Sequence, residues 1–176
     1  MSGFQIRPAR PEDAPGIVHV RIAAWQAAYR GLMPDDYLDG MTDEADQAAA
    51  RLGERLRTAV SSTLVDTDAD GEILGMCAFG PPREDIAGGG EVYAINVVPR
   101  AWGIGLGVQL LNAAQRGLTA AGHSTAYLWV VEGNVRARRF YERAGWGVDG
   151  ATKIDDDFGT GVTEIRYHRQ LSVGED

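Results

Sequence analysis

The alternation of apolar and polar residues predicts a chain that mixes helices with strands. Apolar residues recur at three-to-four spacing from about Asp13 to Tyr29, and Asp13 is a residue type that caps helices. Thr42 is the predicted cap of a second helix, from about 43 to 59. Two further predicted helices cover about 105–121 and 135–144, and predicted strands cover 4–8, 62–67, 72–79, 91–98, 125–131 and 163–171. A hairpin in the middle excludes a simple alternation of strands and helices.

A glycine-rich turn joins the strongest predicted strand to the third predicted helix. Gly103, Gly105 and Gly107 stand at alternate positions there, so the backbone can approach a ligand and the amides of the helix N-terminus can face it. A pyrophosphate suits such a turn. A Walker loop would need a lysine, which the turn lacks, and a dinucleotide fingerprint fails because its third glycine falls on Val108 or Leu110. From these residues alone, a tight turn without a ligand stays open.

The turn resembles a family signature. Residues 100–105, Arg-Ala-Trp-Gly-Ile-Gly, match Gln/Arg-x-x-Gly-x-Gly/Ala of the GNAT superfamily of acyl-CoA-dependent N-acyltransferases. Residues 134–146 resemble its second motif, Asn-x-x-Ala-x-x-Phe-Tyr-x-x-x-Gly-Phe, with Trp146 in place of the last phenylalanine. The resemblance is clearest over 72–146 and looser in the first strand and helix, and 30–60 gives it no independent support.

The resemblance implies a fold and an activity. We expect one domain over residues 1–176, with a mixed, mostly antiparallel sheet of six or seven strands, flanked by helices, in which strands four and five splay apart. The implied activity is direct transfer of an acetyl group from acetyl-CoA to a primary amine of a small molecule or peptide. Two alternatives stay open: a non-catalytic sensor that binds acyl-CoA or a nucleotide, and a structural domain whose turn binds nothing.

The resemblance also implies which residues bind acetyl-CoA. Backbone amides of the turn would hold the pyrophosphate, and an amide of the preceding strand, at about Val97 or Val98, would stabilise the oxyanion. Asn134 would also cap its helix, and the alternative for Arg100 is a solvated loop arginine. The full expected set is Val97, Val98, Arg100, Trp102, Gly103, Ile104, Gly105, Leu106, Gly107, Val108, Asn134, Ala137 and Tyr141.

Acyl transfer to an amine needs a base and an acid, because alkyl amines are protonated at pH 7 and the thiolate must be protonated as it departs. Tyr141 falls on the motif tyrosine that resemblance places near the CoA sulfur, so it is the candidate acid. Its alternative is a tyrosine packed on the sheet beside Phe140. Glu91 is spaced from the turn like the general base of the histone-acetyltransferase branch, and its alternative is a strand-edge carboxylate that faces water. Glu132 is a weaker candidate base.

The acceptor site is less well defined. In this superfamily the first helix and the loop after it commonly shape the pocket, which points to Trp25 and Tyr29, and Tyr93 shares the strand face of Glu91. All charges between Arg30 and Arg51 are negative, which favours a cationic amine. The alternative is that these acids simply complement helix N-termini.

Composition narrows the classes of partner. The 176 residues include 17 basic and 25 acidic ones, a net charge of −8, which disfavours nucleic-acid binding. One cysteine excludes an internal disulfide framework, and the three scattered histidines predict no metal site. The sequence lacks a membrane-length apolar run and the apolar core of a signal peptide, so we expect a cytoplasmic protein without a membrane partner. Homodimerisation is compatible with the resemblance.

Overall fold

A seven-stranded sheet forms the centre of the computed structural model, which describes residues 4–58 and 60–172. The strands are β1 (Gln5–Pro8), β2 (Ser62–Thr67), β3 (Ile73–Gly80), β4 (Gly89–Val97), β5 (Thr125–Val131), β6 (Gly147–Asp155) and β7 (Val162–Gln170). Their spatial order is β1-β2-β3-β4-β5-β7-β6, and every pair except β4–β5 is antiparallel. This confirms the predicted mixed, mostly antiparallel sheet.

Strands β4 and β5 pair in parallel over only three residues of each strand. The register runs from Gly89 opposite Thr125 to Glu91 opposite Tyr127, and hydrogen-bonded pairing stops there. Residues 92–97 and 128–131 therefore border a gap, which we call the strand opening. The predicted splay between these two strands is confirmed.

Helices cover the two faces of the sheet unequally. They are α1 (Ala14–Ala28), α2 (Asp35–Asp43), α3 (Ala45–Thr58), α4 (Leu106–Ala120) and α5 (Val135–Arg143). Leu110 and Leu118 of α4 pack on one face with Phe79 and Leu128, and α5 joins them. On the other face α1 packs against β3 and β4, and α3 packs against α1. No helix among the described residues is long and apolar enough to cross a membrane.

The hydrophobic pattern missed α2 and β6. α2 contains four aspartates and Gly40 in nine residues, and only Leu38 is buried, so its apolar stripe is very short. β6 is an edge strand whose residues are mostly exposed, which leaves little alternation to detect. The prediction of Thr42 as a helix cap was wrong: Thr42 lies inside α2, and its hydroxyl accepts a hydrogen bond from Gln26 Nε2 at 3.2 Å.

Asp13 precedes α1 as predicted, but its side chain does not cap that helix. Its two carboxylate oxygens accept hydrogen bonds from the Arg7 guanidinium at 2.6 and 2.9 Å, and one also accepts from the Arg10 amide at 2.7 Å. The Arg7 hydrogen bonds hold the pKa of Asp13 below its ordinary value. The carboxylate therefore links β1 to the start of α1.

Asp66 in β2 is a second, very different buried carboxylate. Its side chain is fully buried, and neither oxygen has a hydrogen-bond partner among the described residues. Burial raises the pKa of Asp66, because the charged form loses its hydration without compensation. The ionised group therefore opposes folding.

We expect Asp66→Asn to stabilise the fold at pH 7. Because the folded-state pKa lies above the unfolded one, the cost is absent below the unfolded pKa and complete above the folded pKa, and each unit of difference is worth about 1.4 kcal/mol. Urea unfolding should show the gain at pH 7 and its disappearance near pH 3.5. Asp70→Asn, at an exposed turn position, is the control and should change stability at neither pH. An equal gain for Asp66→Asn at both pH values would refute the electrostatic explanation.

Candidate active site

The N-terminus of α4 forms a cradle of unpaired backbone amides. Gly105 is its N-cap residue, with φ of +95°, and no side chain caps the helix. Gly103 also has a positive φ, +81°, so both positions favour glycine. No amide of residues 103–108 donates to an acceptor in the described part of the chain. We call this segment, Gly103–Val108, the anion cradle, because uncapped helix amides and the helix dipole attract negative groups.

The residues of the cradle play different parts. A Cβ atom added at Gly103 would meet nothing within 4 Å, and one at Gly105 would meet only Gln109 Nε2 at 4.0 Å, so a ligand has room there. Gly107 differs, because a Cβ atom there would lie 3.3 Å from the Phe140 ring. Its missing side chain serves the packing of α4 on α5. Leu106 is fully buried in the core and can offer a ligand only its amide.

Two apolar side chains of the cradle and one at the start of α5 are exposed to solvent. Ile104 and Val108 belong to the cradle, and Val135 begins α5; each is about half exposed. Apolar side chains beside an anion site suit a ligand that joins phosphates to an apolar or aromatic moiety.

Trp102 connects the cradle to the strand opening. Its indole Nε1 donates to the Val97 carbonyl at 2.6 Å, and the Arg136 guanidinium lies 3.4 Å from the centroid of its ring. Burial lowers the pKa of Arg136, and no carboxylate of the described residues forms an ion pair with it. The predicted cation of this site, Arg100, instead pairs with Glu72 at the surface. Arg136 occupies a variable position of the second motif, which is why sequence analysis overlooked it.

The two candidate oxyanion donors, Val97 and Val98, face opposite ways. The Val98 amide donates to the Leu74 carbonyl of β3 at 2.9 Å. Because successive residues of a strand direct their amides to opposite sides, the Val97 amide points toward β5, whose pairing has already stopped. Of these two amides, only that of Val97 faces the strand opening.

Tyr141 is buried near the strand opening, with 7% of its surface exposed. Its ring packs edge-on against Phe140 at 5.1 Å and Trp146 at 6.3 Å, so the packing contact with Phe140 is present. Burial raises the pKa of Tyr141 far above its ordinary value, and the neighbouring Cys77 and Tyr29 raise it further. The phenol is therefore protonated at any physiological pH, which is the state that an acid needs.

Tyr29 lies next to the end of β5. Asn134 caps α5 as predicted, since its side-chain oxygen accepts from the Ala137 amide at 3.1 Å. Burial raises the pKa of Tyr29, and a hydrogen bond with the Asn134 side chain partly opposes this. The structure thus brings together Tyr29, Asn134 and Tyr141, which are far apart in sequence.

An aromatic cluster lies beside Tyr29. Trp25 packs edge-on against Tyr29 at 5.1 Å and against Phe158 at 5.4 Å, and Phe158 also contacts Tyr37. Phe158 belongs to the loop between β6 and β7. The acidic residues between Arg30 and Arg51 do not share one role. Two of them, Asp35 and Asp39, form ion pairs with Arg30 at the surface.

Glu91 is enclosed, with 1% of its surface exposed, so the alternative of a carboxylate facing water is wrong. Oε2 accepts from the Tyr127 hydroxyl at 2.7 Å and from the Arg83 amide at 3.0 Å. Oε1 accepts from the Arg83 guanidinium, whose carbon also lies 5.1 Å from the centroid of the Tyr93 ring. The two oxygens of Glu91 together accept five hydrogen bonds, from the Arg83 amide, the Arg83 guanidinium and the Tyr127 hydroxyl, which argues against its taking a proton from a substrate. Tyr93, the third predicted acceptor residue, donates to the Pro81 carbonyl.

Glu164 of β7 is a buried carboxylate that the sequence did not reveal as a candidate site residue. It is 9% exposed and lies 3.3 Å from the ammonium of Lys153, the single lysine of the chain. Burial raises the pKa of Glu164. Glu132, the weaker candidate base, is exposed at the end of β5.

Comparisons with known proteins agree on one family. Residues 22–146 match the model of the acetyltransferase (GNAT) family. The uncharacterized N-acetyltransferase YuaI of Bacillus subtilis is 30% identical over 132 residues, which cover 73% of this chain and 72% of that protein. The mycothiol acetyltransferase of Stackebrandtia nassauensis is 34% identical over 108 residues, 61% of this chain. The chain spans only 31% of that enzyme.

Solved structures share the fold at low sequence identity. The PaiA N-acetyltransferase of Thermoplasma acidophilum, solved in complex with coenzyme A, superposes with a TM-score of 0.70 at 18% identity and covers 96% of this chain and 99% of that one. A GCN5-related N-acetyltransferase from Rhodopseudomonas palustris gives a TM-score of 0.75 at 20% identity, over 97% and 98%. Because the family model covers well over half of the chain and the fold agrees, the chain belongs to the GNAT family of acetyltransferases, enzymes that use acetyl-CoA as the acyl donor.

Proposed function

We propose that this protein transfers an acetyl group directly from acetyl-CoA to a primary amine of a small molecule or peptide. One observation carries the proposal: the anion cradle and the strand opening are joined through Trp102, so a phosphate site adjoins a gap lined by unpaired strand amides. A pyrophosphate with a long, amide-containing arm and a terminal thioester has the chemistry that this arrangement fits.

The residues around the cradle fit acetyl-CoA. The amides of Gly103–Val108 would bind the pyrophosphate, and the exposed Ile104, Val108 and Val135 would contact its apolar portions. We assign Arg136, rather than Arg100, as the cation nearest the phosphates, because it stacks on Trp102 without a carboxylate partner in the described chain. Arg100 is already paired with Glu72.

Two groups of the chain would stabilise the transition state. The Val97 amide, directed into the strand opening, would donate to the oxyanion that develops on the thioester carbonyl. Tyr141 would give its proton to the departing thiolate, and the raised pKa of its phenol keeps that proton available. We assign Glu91 a structural role, in which it holds Arg83 and Tyr127 at the closed end of the strand opening.

Direct transfer is favoured over a covalent acyl-enzyme. The single cysteine, Cys77, is fully buried in β3, and burial raises the pKa of its thiol to about 12. Such a thiol is neutral at pH 7, so it is a poor nucleophile. The acceptor amine itself would therefore attack the thioester.

Release of free CoA separates an enzyme from a sensor. We expect acetyl-CoA to be consumed in the presence of at least one member of a panel of polyamines, amino acids, aminoglycosides and peptides with free N-termini. Calorimetric binding of acetyl-CoA without turnover on any amine would favour the sensor. Absence of binding would favour a structural domain.

Gly105→Val should abolish acetyl-CoA binding. A β-branched side chain at φ of +95° strains the turn and fills the space from which the amides face the ligand. Gly122→Val is the matched control: it lies beyond the other end of α4, with φ of +91° and equally open space. Both variants should lose similar thermal stability, but calorimetry should show lost affinity only for Gly105→Val. Unchanged affinity in a folded Gly105→Val protein would disprove the pyrophosphate site.

Tyr141→Phe should lower kcat by roughly the 10²–10⁴-fold that general acid catalysis contributes, with little change in the KM for acetyl-CoA. The variant keeps the ring packing and removes only the hydroxyl. Tyr167→Phe is the control, because its hydroxyl bonds Arg138 and Glu142 and its ring lies 6.1 Å from that of Tyr141. That change should reduce the melting temperature and leave kcat near wild type. A Tyr141→Phe enzyme with wild-type kcat would exclude the phenol as the acid.

A further inference from the structure

Glu164 lies on the sheet face that α1 and α2 approach. It borders the aromatic cluster of Trp25, Tyr29 and Phe158, which we call the candidate acceptor region. It is directly opposite Val131 of β5 and two residues after Val162 of its own strand, so the three side chains share that face. Val131 and Val162 are buried in the cluster against which Trp25 and Tyr29 pack. A carboxylate therefore sits at the edge of an aromatic and aliphatic cluster.

The Lys153 ammonium shows which ligand chemistry this position accommodates. Its nitrogen lies 3.3 Å from Glu164 and 4.6 Å from the centroid of the Trp129 ring. A carboxylate combined with an aromatic face is a recurrent way to bind an alkyl ammonium. Lys153 is partly exposed, so an incoming ammonium can displace it or bind beside it.

We propose that Glu164 binds the ammonium of the acceptor and is the base that removes its first proton, directly or through one water. This inference rests on the proposed acetyltransfer. It assigns to Glu164 the role of general base, for which the sequence had pointed to Glu91. It also defines the substrate class as primary alkyl amines that are cationic at pH 7.

The proton balance is consistent with this assignment. The ammonium has three protons: the first goes to Glu164 and then to solvent, and the neutral amine attacks the thioester carbonyl. As the C–N bond forms and the C–S bond breaks, the thiolate takes the Tyr141 proton. The second nitrogen proton then restores the phenol through solvent, and the third stays on the product amide.

Charged groups of β6 and of the loop between β3 and β4 influence how readily Glu164 takes up a proton. Burial raises its pKa, Lys153 and Arg83 lower it, and Asp155 raises it. The Glu164 charge in turn raises the pKa of Tyr29, which also adjoins Tyr141. Tyr29 is therefore near both the proposed base and the proposed acid.

The test compares kcat/KM for the most active alkyl amine of the panel across pH 6–10. Glu164→Gln should lower it by roughly 10²-fold or more near pH 7, and the loss should shrink as the pH nears the amine pKa, because more acceptor then arrives deprotonated. Glu164→Asp should restore part of the rate. Asp156→Asn, which removes one exposed negative charge just after β6, is the control and should behave as wild type.

Lys153→Met gives a readout that a structural role would not produce. Since Lys153 lowers the pKa of Glu164, its removal should move the acid limb of the kcat/KM profile to higher pH. Wild-type kcat/KM for Glu164→Gln at every pH would overturn the proposal. So would a loss that is equal at every pH, accompanies weaker acetyl-CoA binding and is not rescued by aspartate.

The experiment distinguishes a failure of the proposed acetyltransfer from a failure of the role assigned to Glu164. If the wild-type protein releases no CoA with any amine, acetyltransfer itself is wrong. If it turns over while Glu164→Gln matches it, only the role of Glu164 is wrong.

Discussion

Pairing between β4 and β5 stops after Glu91 and Tyr127, and the geometry of the candidate site depends on that stop. If the parallel pairing continued along both strands, β5 would accept a hydrogen bond from the Val97 amide, and the space beside Tyr141 would be closed. The cluster of Glu91, Arg83 and Tyr127 lies at the last paired position, where its hydrogen bonds join the loop before β4 to β5. A buried carboxylate with five hydrogen bonds is costly to disturb, so this cluster fixes where the strands separate.

The cradle could be predicted from sequence because its geometry is local. Alternate glycines between a strand and a helix require positive φ and leave helix amides uncovered, whatever the rest of the chain does. Asn134 was predictable for the same reason, since a cap needs only the residues that follow it. The different roles of the glycines within the turn could not be predicted from the sequence, because Gly107 is needed for contact with Phe140, which lies thirty-three positions later.

The acceptor region shows why the other residues were missed. Glu91 and Glu164 are both strand glutamates, and their different surroundings come from distant partners: Arg83 and Tyr127 for the first, Val131 and Lys153 for the second. The partner of Glu164 lies on β6, a strand that the hydrophobic pattern did not reveal, so no local feature marked that carboxylate. Arg136 was overlooked because its role depends on stacking against Trp102.

The ionisable groups of the site have different roles because their buried surroundings differ. Tyr141 and Cys77 are buried without compensating charge, so both stay protonated, which suits an acid and excludes a thiolate nucleophile. Glu91 is buried with a guanidinium and a phenol that occupy both of its oxygens, which suits a structural anchor. Glu164 is buried beside one partly exposed ammonium, which another ammonium can replace. Among these groups, exchange of one cation for another at little electrostatic cost is available only to Glu164, and that property is what recognition of a cationic acceptor requires.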